Sequence, residues 1–136
     1  MENSELEIKV GDVEFVRGWV EDLRSGEYLQ GTGRLRRKMR RGDKIVDEFC
    51  CLGVFCDRFA KQHEIEWEGP TFMRETYGLP QELVPMIPNY TRGLIGIVVD
   101  FGPGIGTNSL TELNDSGFTF DQIADVIEWA FLSTED

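Results

Sequence analysis

The chain has 136 residues, 40% of them hydrophobic and 11% aromatic, enough apolar material for one folded core and too much for a disordered chain. Twenty-five acidic against 14 basic residues give a net charge of −11, which opposes direct binding of nucleic acid or of an anionic membrane surface. No apolar run approaches the roughly 20 residues of a membrane span, and the acidic opening residues carry no signal-peptide pattern, so a cytoplasmic protein is expected.

The first predicted element is a helix from Asp12 to Ser25. Val13, Val16, Trp19, Val20 and Leu23 recur at spacings of three and four, with Asp12 as N-cap and Gly26 just past the end. Gly18 interrupts the pattern at about 1 kcal/mol relative to alanine. Tyr28 to Gly33 leads into a hairpin, with Arg34 to Arg40 as the first strand, Arg41-Gly42-Asp43 as the turn and Lys44 to Phe49 as the return. Alternation places Leu35 and Met39 on one face and Arg34, Arg36, Lys38 and Arg40 on the other. Like charges at every second residue disfavour a strand unless an anion or carboxylates oppose them, and only one of Asp47 and Glu48 can share that face.

Cys50 to Ala60 is apolar at helical spacing, with Cys51, Leu52, Phe55, Cys56 and Phe59 facing inward. Short strands are predicted around Ile65–Trp67 and Thr71–Met73, and one or two helical turns over Leu79–Pro85, with Pro80 at the first helical position. Gly93 to Phe101 is the best central-strand candidate, followed by a glycine-rich loop over Gly102–Asn108. Asn114 to Gly117 reads as a turn before a capping box at Thr119 and Gln122, with Phe118 and Ile123 placed for a hydrophobic staple. Phe120, Ile123, Ala124, Ile127 and Phe131 form the buried stripe of the last helix. The expected class is α+β: one domain spanning residues 1–136, with a small, mostly antiparallel sheet packed by about three helices.

Charge is distributed unevenly. Residues 34–44 hold seven cations and one carboxylate, whereas residues 93–136 hold eight carboxylates and no lysine or arginine. Either the hairpin holds a small polyanion, or it pairs with the chain's own acidic surface or a second copy; adjacent opposite charges are the commoner outcome in a compact domain. Such a hairpin beside an acidic body also suits self-association.

Catalytic signals are sparse. His63 is the lone histidine, and the chain has no His-Glu-x-x-His, Cys-x-x-Cys or Gly-x-Ser-x-Gly pattern. Cys50, Cys51, Cys56 and His63 lack the spacing of a zinc knuckle, and the cysteines read better as small core hydrophobes. Gly102-Pro103-Gly104-Ile105-Gly106 lacks a Walker ending and reads first as a surface loop, although its amides suit an anion. Asp100, Glu112 and Asp115 have no basic or metal-binding companion in sequence. No catalytic residue, metal or cofactor is therefore expected, and binding is favoured over catalysis. The candidate ligand contacts are Arg34, Arg36, Lys38 and Arg40 for phosphate, with Trp67 or Tyr28 as the base-stacking surface. Trp19 falls on the core face of its helix, whereas Trp67 lies among Glu64, Glu66 and Glu68, where an exposed ring is expected.

Three stretches carry a resemblance: Trp19-Val20-Glu21 through Tyr28-Leu29-Gln30-Gly31; Phe49-Cys50-Cys51-Leu52-Gly53-Val54-Phe55-Cys56-Asp57; and Leu110-Thr111-Glu112-Leu113-Asn114-Asp115-Ser116-Gly117 into Ile123-Ala124-Asp125-Val126-Ile127-Glu128. In that order they resemble a family of small bacteriophage-encoded proteins of mostly unassigned function. The resemblance covers about a third of the chain and includes neither the basic hairpin nor the glycine loop. It implies a non-enzymatic protein of the host cytoplasm that acts in counter-defence by binding something of the host. One such class sequesters a small nucleotide-derived anionic signal. The other is an acidic inhibitor that occludes a host protein, a nucleic-acid-binding or defence enzyme.

Overall fold

The computed structural model describes residues 8–88 and 110–132. Helix α1 (Val13–Arg24) starts where the sequence predicts, with the Asp12 carboxylate accepting a hydrogen bond from the Phe15 amide at 3.1 Å. Strand β1 (Leu29–Gln30) follows, then the hairpin β2 (Arg36–Arg41) and β3 (Lys44–Phe49). The sheet order is β1-β3-β2, with β1 parallel and β2 antiparallel to β3. Helix α2 (Cys51–His63) packs beneath the sheet, a 3-10 helix covers Gln81–Met86, and α3 (Leu110–Asp115) and α4 (Phe120–Ile127) close the described chain, α4 continuing as a π-helical turn over Glu128–Leu132. The class is α+β, with the predicted small sheet being mixed.

The core is aromatic at its centre. The Phe15 and Phe55 rings lie 4.7 Å apart, Trp19 meets Phe55 edge-on at 4.9 Å, and all three are fully or nearly fully buried. Burying Trp19 removes its indole N–H from water, and the group donates to the Cys51 carbonyl at 2.9 Å, which ties α1 to the start of α2. Gly18 belongs to this arrangement: the Arg58 guanidinium lies where its Cβ would be, held by Asp22 at 3.0 Å. The penalty that glycine imposes on α1 is thus linked to a cross-helix ion pair.

Local signals held best at the last helix. Thr119 and Gln122 form the reciprocal capping box, and Phe120, Ile123, Ala124, Ile127 and Phe131 are all buried. Three expectations are corrected. Instead of short strands, the segment after α2 makes two successive tight turns, bridged at Glu68–Thr71 and Phe72–Glu75, with Met73 and Arg74 at positive φ. Pro80 is the cap of the 3-10 helix rather than its first residue. Asn114 and Asp115 are still helical, so the turn before α4 begins at Ser116. The strand expected at Gly93–Phe101 and the loop at Gly102–Asn108 lie outside the described residues.

Candidate functional site

The β2–β3 register decides where each hairpin side chain goes. Lys38 stands opposite Asp47, so Asp47 is the carboxylate that shares the face of Arg36, Lys38 and Arg40. Its carboxylate lies 3.2 Å from Lys38 Nζ and 4.0 Å from Arg36 Nη1. The same parity puts Arg37 and Arg41 on the opposite face, where both grip the buried Glu48. Those two guanidiniums, Arg41 foremost, hold the Glu48 carboxyl below the usual carboxylate range despite its burial.

Charge is not balanced by these pairs. Between residues 34 and 49 there are seven cations and three carboxylates. Arg34 and Arg40 are exposed and form no ion pair with any described residue. The exposed Lys38–Asp47 pair is worth about 0–1 kcal/mol, so an incoming anion can displace it readily. The hairpin is therefore a net cationic element, half paired and half open.

A cleft of about 720 Å³ opens beside it. One wall is Thr32, Gly33 and Arg34 with Arg36, Arg37 and Lys38; the other is Gly69, Pro70 and Tyr77. The volume falls within the range of small-molecule sites. The double-turn segment delivers the second wall, because the Leu35 amide donates to the Thr76 carbonyl at 2.7 Å and Arg36 Nη2 donates to the Gly69 carbonyl at 2.9 Å. Arg40 lies outside the residues lining the cleft.

Both candidate stacking residues are already engaged. Trp67 is half-buried rather than exposed: the Arg36 guanidinium lies over its ring at 4.6 Å, and its indole N–H donates to Asp57 at 3.1 Å. Tyr28 donates its hydroxyl to the same Asp57 at 2.7 Å and packs edge-on against Phe49 at 5.0 Å. Burial and the Asp57 carboxylate push the Tyr28 hydroxyl's pKa above its ordinary value. Asp57, which ends the Cys-Cys-Leu-Gly-Val-Phe-Cys-Asp stretch, thus anchors two aromatics and positions the floor beneath Arg36. Sequence reasoning missed Arg37 and Tyr77. Strand parity together with Glu48 contained the signal for Arg37, whereas nothing local points to Tyr77.

The stretch Leu110–Gly117 supports the first wall. Asn114 is buried, donates to the Gly31 carbonyl at 2.8 Å and accepts from the Gln30 amide at 2.9 Å, while Asp115 accepts from the Gly33 amide at 3.2 Å. A protein-family model described as a domain of unknown function, DUF8296, matches residues 12–131. The chain belongs to that family. The matched span contains the hairpin, both cleft walls and the helices that hold them. No curated protein and no solved structure matches the chain.

The three cysteines of this DUF8296 chain sit in the core. Cys50, Cys51 and Cys56 are at most 1% exposed, and burial pushes the Cys50 thiol up to about 11 and the other two well above their ordinary value. The native protein should therefore give no rapid reaction with a thiol-specific disulfide reagent at pH 8, and three equivalents after denaturation in guanidinium. Prompt labelling of one thiol in the native state would contradict the placement.

Proposed function

We propose that this protein retains a small phosphorylated ligand, a nucleotide-derived signal, in the cleft between the hairpin and the Gly69–Tyr77 segment. The observation that carries the reading is that Arg34, Arg36 and Lys38 line one ligand-sized cleft, bordered also by the Glu48-paired Arg37, in a chain whose net charge is −11. Guanidinium groups suit phosphate because their planar donors meet two of its oxygens at once, and a cleft lined by one sign of charge concentrates anions. Taken with the resemblance to phage-encoded proteins, the ligand would be a host signalling nucleotide and the protein its sink.

Isothermal calorimetry with cyclic dinucleotides, ADP-ribose and pyrophosphate tests this. At least one nucleotide should bind the wild type, more weakly as salt rises. Arg34→Glu should lose about tenfold or more in affinity, the scale of one hydrogen bond to a charged group plus repulsion. Its melting temperature should hold, because Arg34 is exposed and has no carboxylate partner among the described residues. Binding of none of the panel by the wild type, or undiminished binding by Arg34→Glu, would overturn the reading and return the argument to the acidic, protein-directed inhibitor.

A further inference from the structure

Resting on that reading, we infer that Tyr77 is the residue that selects nucleotides over simple phosphates, by stacking on the base of a ligand whose phosphates sit on the hairpin. Three observations place it there. Tyr77 lines the same cleft as Arg34, Arg36 and Lys38, which puts an aromatic ring and cations around one ligand-sized space. Its side chain is 47% exposed, and of the other exposed aromatics among the described residues, Phe118 and Trp129, neither lines the cleft. The residue before it is anchored, since the Thr76 carbonyl accepts from the Leu35 amide at 2.7 Å and the Thr76 hydroxyl bonds that of Thr71 at 2.9 Å.

The geometry also explains why the other aromatics do not compete. The Trp67 face is covered by the Arg36 guanidinium and its N–H is taken by Asp57. The Tyr28 hydroxyl is bonded to Asp57, and Lys61 Nζ lies 5.4 Å from the centre of its ring. Among the described cleft residues Tyr77 is the one aromatic, and it is about half exposed. A ring held on an anchored backbone loses little freedom when a base settles on it, which is why tyrosine is effective at such contacts.

Binding of ADP and of pyrophosphate to wild type, Tyr77→Phe and Tyr77→Ser, measured side by side by calorimetry, separates the ring from the cations. Wild type should bind ADP about tenfold or more tightly than pyrophosphate, the low end of what base–aromatic stacking supplies. Tyr77→Ser should lose that factor for ADP and leave pyrophosphate unchanged, while Tyr77→Phe should keep it. Equal affinities for ADP and pyrophosphate in the wild type, or unchanged ADP binding by Tyr77→Ser, would overturn the assignment and leave the cationic cleft standing. Binding of neither probe by the wild type would overturn the assignment, and only the additional failure of cyclic dinucleotides and ADP-ribose to bind would overturn the cleft.

Discussion

Gly53→Ala is expected to lower folding stability by about 3 kcal/mol or more, although helix propensity alone predicts a gain of about 1 kcal/mol. Gly53 lies inside α2, and a Cβ there would stand 1.8 Å from the Leu35 carbonyl oxygen and 2.7 Å from its carbon. Both obstacles are backbone, so a flexible side chain cannot simply swing aside. The same carbonyl accepts from the Cys50 amide at 3.3 Å, and Leu35 itself is fully buried, so the β2 end of the hairpin would have to lift off α2 as a unit. Leu35 separates Arg34 from Arg36, and displacing it moves two cleft cations together. Urea denaturation should show a clearly lowered midpoint, and ligand affinity should fall even under conditions where the variant remains folded. Gly18→Ala is the contrasting case, because its obstacle is the far end of the Arg58 side chain, and its loss should be markedly smaller. Equal stability of wild type and Gly53→Ala would show that the helix and the strand do not approach this closely.

These glycines mark the limit of what the sequence could show. Elements specified by neighbours in sequence were legible: the Asp12 cap, the Thr119–Gln122 box, the apolar stripes of α1 and α4 and the alternation of the hairpin are each read from a few adjacent residues. Gly18 appeared only as a defect, because Arg58, the group that occupies its missing side chain, lies on another helix. The segment after α2 departs from its local pattern for a similar reason. Ile65, Trp67 and Phe72 suggest strands by composition, but Met73 and Arg74 adopt positive φ, which such side chains rarely do without tertiary support. The cleft was half visible. Its cations stand out in any charge count, whereas the wall that makes them a cleft depends on a hydrogen bond between Leu35 and Thr76, far apart in the chain.

Asn114→Ala should cost about 2 kcal/mol and weaken ligand retention, although Asn114 does not line the cleft. Its side chain is 1% exposed and satisfies the Gly31 carbonyl, itself on a buried residue, while accepting from Gln30. Truncation leaves that carbonyl without its donor, and an orphaned buried polar group costs about 1–3 kcal/mol. The Gln30 amide fares better, since it also donates to the Phe118 carbonyl at 2.8 Å. The structural consequence is local: Gly31 leads directly into Thr32 and Gly33, so the first wall loosens where Asn114 releases it. Asn114→Asp sharpens the test. The new carboxyl keeps an acceptor for Gln30 but, when ionised, offers no proton to Gly31 and faces Asp115. Folding should raise its pKa above the unfolded value of about 3.9. A group that binds its proton more tightly in the folded state makes stability fall as pH rises. The deficit of Asn114→Asp relative to wild type should therefore be largest near pH 7 and narrow on acidification towards pH 4.5, while that of Asn114→Ala stays constant. Parallel pH–stability curves for the two variants, from thermal melts in matched buffers, would exclude Asn114 as the buried donor that holds this wall in place.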